Sequence, residues 1–161
     1  MNWLLVLLLL AQVKVVELTG PATCSRGPVA EGLELRTGDR LQLPRHTQGR
    51  LELGPSGSLG LEGDTSVRIE AGRVVLERGE VLLVGTGAVE CPAGSVRGLG
   101  ACEVLVAAAD NGDCLVFVRS GDAVIATREG QRLQPHPPGR AWHLPRNGAP
   151  AVVAAPQPGR E

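Results

Sequence analysis

Tyrosine is absent from this chain, phenylalanine occurs once and tryptophan twice. Stacking platforms for bases or sugar rings are therefore scarce, and the core has to be built from Val, Leu, Ile and Ala. A dominant charge is missing too: 16 Lys and Arg stand against 17 Asp and Glu, for a net charge of −1. That balance leaves no broad basic field for nucleic acid or anionic lipid, and no acidic tail. Lys14 is the only lysine, and the arginine bias reads as compositional rather than as arginine-specific recognition. Trp3 to Ala11 is continuously apolar, about half the ~20 residues that a membrane-spanning helix requires. No cysteine pair is spaced C-x-x-C, which removes the usual zinc-ribbon and thioredoxin-like readings.

What the chain does have is a succession of short strand signals separated by glycine turns, with almost nothing helical between Val13 and Trp142. Ser66 to Glu70 alternates apolar Val67 and Ile69 with polar Arg68 and Glu70, as a half-buried strand should. Further strands are expected at residues 13–18, 32–43, 50–53, 59–61, 73–84, 88–91, 104–108, 115–118, 124–127, 131–133 and 140–144. A sharp turn or bulge is expected at Arg78-Gly79-Glu80. Asp110-Asn111-Gly112-Asp113 between apolar runs predicts a hairpin. Leu115-Val116-Phe117-Val118 is apolar on both faces, which places it between two layers, with Phe117 in the core.

Residues 1–12 read as a secretory signal peptide or short membrane-targeting segment, although no Lys or Arg precedes the apolar run and no clean small-x-small cleavage pattern follows it. A buried first element and an uncleaved tether are the alternatives. Residues 13–144 form the domain, and residues 145–161, with Pro145, Pro150, Pro156 and Pro158, read as a flexible Pro/Ala-rich tail. Cys24, Cys91, Cys102 and Cys114 are an even set that an oxidising compartment can convert into two disulfides, with three connectivities open. The other reading is small buried hydrophobes. If one bridge forms, Cys91 with Cys102 is favoured, because the turn at Pro92-Ala93-Gly94 folds their segments back on each other.

A search for chemistry finds little. His136 and His143 flank Pro137-Pro138-Gly139 beside Trp142, but no nearby Asp, Glu or Cys completes a metal-ligand set. His46 is isolated. No serine occupies a nucleophile-elbow context. Gly85-Thr86-Gly87 and Gly98-Leu99-Gly100 lack the helix and lysine of a phosphate loop and read as turns. No catalytic residue, metal site or cofactor is expected.

The order of these motifs resembles the FecR domain family over nearly the whole of residues 13–144. Val15-Val16-Glu17-Leu18-Thr19-Gly20 and Leu35-Arg36-Thr37-Gly38-Asp39-Arg40-Leu41 are similar to that family's first strand and following turn. Gly49 to Leu53, Gly57 to Leu61, Thr65 to Ile69, Val75 to Val81, Val89 to Val96, Val116 to Val124 and Glu129 to Leu133 follow in the family's order. The chain departs from it at Gly100-Ala101-Cys102-Glu103, where the family carries Gly-Thr before an aromatic.

The resemblance implies an all-β domain of two packed, mostly antiparallel sheets or a short solenoid-like winding, located in the periplasm or otherwise outside the cytoplasm. Well-understood members place such a domain after a cytoplasmic anti-sigma segment and a membrane helix. Nothing before Val13 is expected to supply either part, so direct action on a sigma factor is not expected. The expected function is a non-enzymatic module for protein recognition or signalling in the cell envelope, with another envelope protein as partner and no nucleic acid. The alternative is an envelope structural module that binds polysaccharide or peptidoglycan, for which only Trp142 and Phe117 offer aromatic surface.

Overall fold

The structure, a computed structural model, describes residues 13–71, 73–134 and 140–154. The apolar segment 1–12, His136 with its Pro-Pro-Gly turn, and the last seven residues lie outside the described residues.

Seventeen strands and no helix make up the described residues. They are β1 (Val13–Leu18), β2 (Thr23–Cys24), β3 (Gly27–Pro28), β4 (Glu34–Leu35), β5 (Arg40–Leu43), β6 (Gly49–Leu53), β7 (Gly57–Leu61), β8 (Thr65–Glu70) and β9 (Arg73–Gly85). There follow β10 (Gly87–Cys91), β11 (Gly94–Gly98), β12 (Glu103–Ala108), β13 (Cys114–Ser120), β14 (Ala123–Thr127), β15 (Arg132–Leu133), β16 (Arg140–Leu144) and β17 (Ala151–Ala154). All are joined in one hydrogen-bonded network that does not close into a barrel.

The network divides into two runs that share β9. One run is β4-β1-β6-β7-β9-β12-β13-β16-β17. We call it sheet A. The other, sheet B, is β3-β2-β5-β8-β9-β10-β11-β14-β15. Every pairing is antiparallel except β9 with β10, where Val89 faces Val74 and Glu90 faces Val75. An all-β, mostly antiparallel fold is thus the class expected from the sequence, and of the two alternatives held there, packed sheets or a short solenoid-like winding, the strand pairings give the sheets.

Alternation fills the space between the sheets. Val104, Val106 and Ala108 of β12 are buried, as are Val67 and Ile69 of β8 and Val74, Leu76, Val81 and Leu83 of β9. One continuous cluster gathers these side chains with Leu41, Leu51, Leu59, Val96, Ile125 and Leu144. Each such Val, Leu or Ile contributes about 1.5–3 kcal/mol by leaving water, and so aliphatic residues carry this core without aromatic help.

The corner that lets β9 serve both sheets sits at Gly79. Residues 73–78 pair with β8 in sheet B, and residues 79–84 pair with β12 in sheet A. The register slips by one residue at this point, since Ser66 faces Arg78 while Val67 faces Leu76. Gly79 takes φ +98°, and an added Cβ would meet Thr65 Oγ1 at 2.3 Å and Thr65 Cα at 2.6 Å. Only glycine fits both demands. Buried Thr65 fastens the bend, donating through its hydroxyl to the Glu80 carbonyl (3.3 Å) and accepting from the Glu80 N–H (3.2 Å).

Several expectations need correction. The stretch 32–43 is two strands, because Gly38 at φ +93° and Asp39 form a turn between β4 and β5. Strand β11 lies between the turns expected at Pro92-Ala93-Gly94 and Gly98-Leu99-Gly100, where no strand was expected; Gly94 and Gly98 are buried positions at which the backbone carbonyls of Ala126 and Gly85 leave no room for a Cβ. Residues 151–154 of the expected tail form β17, paired with β16 from His143–Ala151 to Arg140–Ala154. Phe117 is half-buried rather than in the core. It alternates with buried Val116 and lies across from Leu105, which in turn faces Leu82, so these three form an apolar row on the outer face of sheet A.

Candidate functional site

The outer face of sheet B forms an open trough of about 1050 Å³. Its floor follows directly from strand register. Moving across the sheet, Arg40 faces Arg68, Arg68 faces Val75, Val75 faces Glu90, Glu90 faces Ser95, Ser95 faces Ala126, and Ala126 faces Arg132. Val75, Glu90, Ser95 and Ala126 occupy the middle of that row and arginines its ends, so the one charged group in the middle is Glu90, which is paired with Arg73. One row along, Arg97 is flanked by Ala88 and Val124. Arg128, from the β14–β15 turn, and Arg146, just after β16, close one side.

Five arginines line the trough (Arg68, Arg73, Arg97, Arg128 and Arg146), against Glu77, Glu90 and Asp110. Two of the five are already engaged. Arg73 Nε lies 2.7 Å from Glu90 Oε2, and Arg68 Nε lies 2.9 Å from Glu70 Oε1 with its Nη1 3.8 Å from Glu77 Oε2. At the rim, Arg40 makes a two-point contact with Glu77 at 2.6 and 3.0 Å. Arg97, Arg128 and Arg146 are exposed and make no ion pair among the described residues. A guanidinium presents a planar fork of donors that matches a carboxylate or phosphate in two-point fashion. Because exposed ion pairs are worth only about 0–1 kcal/mol, an incoming anion can displace Glu90 or Glu77 at little cost. The sequence gives no sign of this site, since residues 68 to 146 are assembled by pairing register and not by local spacing.

The four cysteines are all free thiols in this structure. Cys91 and Cys102 do not come together. Cys91 faces Gly94 at one end of the β10–β11 hairpin, whereas Cys102 Sγ donates to Gly85 O at 3.3 Å and crowds Gly98 at the other end. Four residues of strand, roughly 13 Å at about 3.3 Å per residue, separate the two ends, beyond the ~7 Å limit between Cα atoms of a bridged pair. The Pro92-Ala93-Gly94 turn folds β10 onto β11 as expected, but Cys102 lies past the far end of β11. Cys24 is half-buried in β2, far along sheet B.

Instead, Cys91 meets Cys114. The two thiols interact, and the Ala93 amide acts on both. Interaction with Cys114 raises the Cys91 thiol above the ordinary value of 9.0, with burial acting in the same sense. The same interaction lowers Cys114, against the opposing effect of burial.

His143 Nε2 is 3.6 Å from Asp113 Oδ2. The Asp113 carboxyl is held below its ordinary value first by the Arg146 N–H and then by Asn111 and His143. Asn111 Oδ1 in turn accepts from the Asp113 N–H at 2.9 Å, so Asn111 to Asp113 act as the hairpin turn that their sequence predicts. Trp142 is half-buried against the core, with Nε1 donating to Gln134 O at 3.0 Å. Among the described residues no group of three or more His, Cys, Asp or Glu side chains is placed to share a metal ion. No described helix is long and apolar enough to cross a membrane.

Comparison with known proteins returns no matching family model, no matching curated protein and no matching solved structure.

Proposed function

We propose that this chain is a non-enzymatic, extracytoplasmic recognition module of FecR-like type, and that it docks an acidic segment of another cell-envelope protein in the arginine-lined trough of sheet B. The observation that carries this reading is the trio Arg97, Arg128 and Arg146, exposed and without ion pairs among the described residues, beside a floor whose middle holds Val75, Ser95 and the already paired Glu90. Arg97 stands on strand β11 of the sheet, which offers pre-organisation because the backbone that carries the charge is in place before the partner arrives. The resemblance in motif order and the apolar start of the chain support an extracytoplasmic location.

A polysaccharide-binding structural module is the alternative. The aromatic geometry favours it less, since the Trp142 indole is tied to Gln134 O and only half exposed, and Phe117 belongs to an apolar row on the opposite sheet. Photo-activated cross-linking from Ser95, in the middle of the trough floor, in the intact envelope separates the two. The proposal expects a discrete protein adduct, with the linked peptide rich in Asp and Glu. Glycan-only adducts, or no adduct at this position while one forms from the Leu105 side, would overturn it.

A further inference from the structure

The pair formed by Cys91 and Cys114 joins the two sheets at one end of the molecule. Cys91 is the last residue of β10 in sheet B, and Cys114 is the first of β13 in sheet A. Gly94, which faces Cys91, is close enough to Leu144 that a Cβ would meet its Cδ1 at 2.9 Å, and Leu144 is the direct strand partner of Cys114. Cys91 Sγ donates to Gly94 O at 3.4 Å and Cys114 Sγ to Gly112 O at 3.7 Å. Both residues are almost entirely buried, at 5% and 1% exposure.

We propose that Cys91 and Cys114 are a disulfide-forming pair that clamps sheet B to sheet A when the chain folds in the presence of a disulfide donor, while Cys24 and Cys102 remain thiols. The pairing needs no change of strand register, because Gly94 and Leu144, the strand partners of Cys91 and Cys114, already lie against each other and bring the two buried thiols to the same end of the core. Burial fixes the order of events: a donor cannot reach either sulfur in the finished fold, so exchange takes place as β10–β11 and β12–β13 come together. The Cys114 thiolate attacks one sulfur of the donor disulfide and expels the other as a thiolate, leaving a mixed disulfide. The Cys91 sulfur then attacks the Cys114 sulfur, forming the intramolecular bond and releasing the second donor thiolate. Two electrons pass to the donor, and the two protons lost by the cysteines go to the released thiolates or to solvent.

This pairing follows from the fold alone and is independent of what the trough binds. The test uses the full chain, reduced and unfolded, then refolded in a mixture of reduced and oxidised glutathione, alkylated under denaturing conditions and digested without reductant. The expected result is a linked peptide joining Cys91 to Cys114, with Cys24 and Cys102 alkylated, and a denaturation midpoint that falls when reductant is added. Four alkylated cysteines, or a bond joining Cys91 to Cys102 or Cys24, would overturn the proposal. The C24A/C102A variant, which leaves both members of the pair in place, is expected to keep the bond and the reductant-sensitive midpoint. Loss of the bond in that variant while it still folds would equally overturn the proposal.

Discussion

Replacement of Gly79 by alanine tests the claim that one strand bends to serve two sheets. The cost has two parts. The first is conformational: at φ +98° an L-residue is disfavoured by about 1–2 kcal/mol. The second is steric, because the new methyl would sit 2.3 Å from Thr65 Oγ1, 2.6 Å from Thr65 Cα and 2.9 Å from Asp64 O, and forcing atoms into a packed site costs a further ~1–3 kcal/mol. Gly38→Ala isolates the first part, since Gly38 has φ +93° and nothing within 4 Å of its hypothetical Cβ. Urea unfolding of both variants should therefore show Gly79→Ala less stable than Gly38→Ala by the steric part, about 1–3 kcal/mol. Adding Thr65→Ala should not restore Gly79→Ala, because two of the three close contacts are to backbone atoms. Equal destabilisation of the two glycine variants, or full rescue by Thr65→Ala, would refute the argument that backbone crowding at this corner selects glycine.

Other consequences can be measured in the same assay. Asp39, buried at 6% exposure, accepts from Arg26 at 2.8 Å and from the Arg36 N–H at 2.8 Å, and these bonds, Arg26 first, hold its carboxyl below the ordinary 3.8. Its contribution is thus complete above pH 3.8 and lost as pH falls through the lower folded value, so urea midpoints of Asp39→Asn should fall less steeply than those of the native chain on acidification below pH 3.8. Glu80 has the opposite sign: burial first, and then Glu62, raise its carboxyl above 4.5, so its ionisation opposes folding as pH rises through the folded value. Glu80→Gln should accordingly raise the midpoint at neutral pH and lose that advantage below pH 4.5. Leu59→Ala removes a side chain with no exposure from β7 and should cost about 2–5 kcal/mol in unfolding free energy.

Strands with clean alternation were legible in the sequence, as β8 and the β12–β13 hairpin at Asn111-Gly112 show. Both signals are local, resting on a period of two and on a turn that needs positive φ. Strand β11 was not legible, because its end glycines carry the same letters as a turn while serving close backbone approach, a distinction visible only once β14 and Gly85 are in place. The apolar outer positions of β13 suggested a strand buried on both faces; the three-dimensional answer is a row, Leu82, Leu105 and Phe117, on the outside of sheet A. The trough and the Cys91–Cys114 contact lay beyond sequence reading for one shared reason. Each joins residues from separate hairpins whose relative placement depends on the sheet switch at Gly79 and on the return of β10 alongside the first half of β9.

The central claim is that exposed guanidinium groups in the sheet B trough recognise an acidic partner protein. The most direct measurement compares envelope cross-linking of the native chain with that of Arg97→Glu/Arg128→Glu/Arg146→Glu. Because all three side chains are exposed and make no ion pair among the described residues, the variant should unfold at nearly the native urea midpoint, and the account predicts that the protein adduct formed from Ser95 disappears. A folded variant that captures the same protein to the same extent would contradict the account.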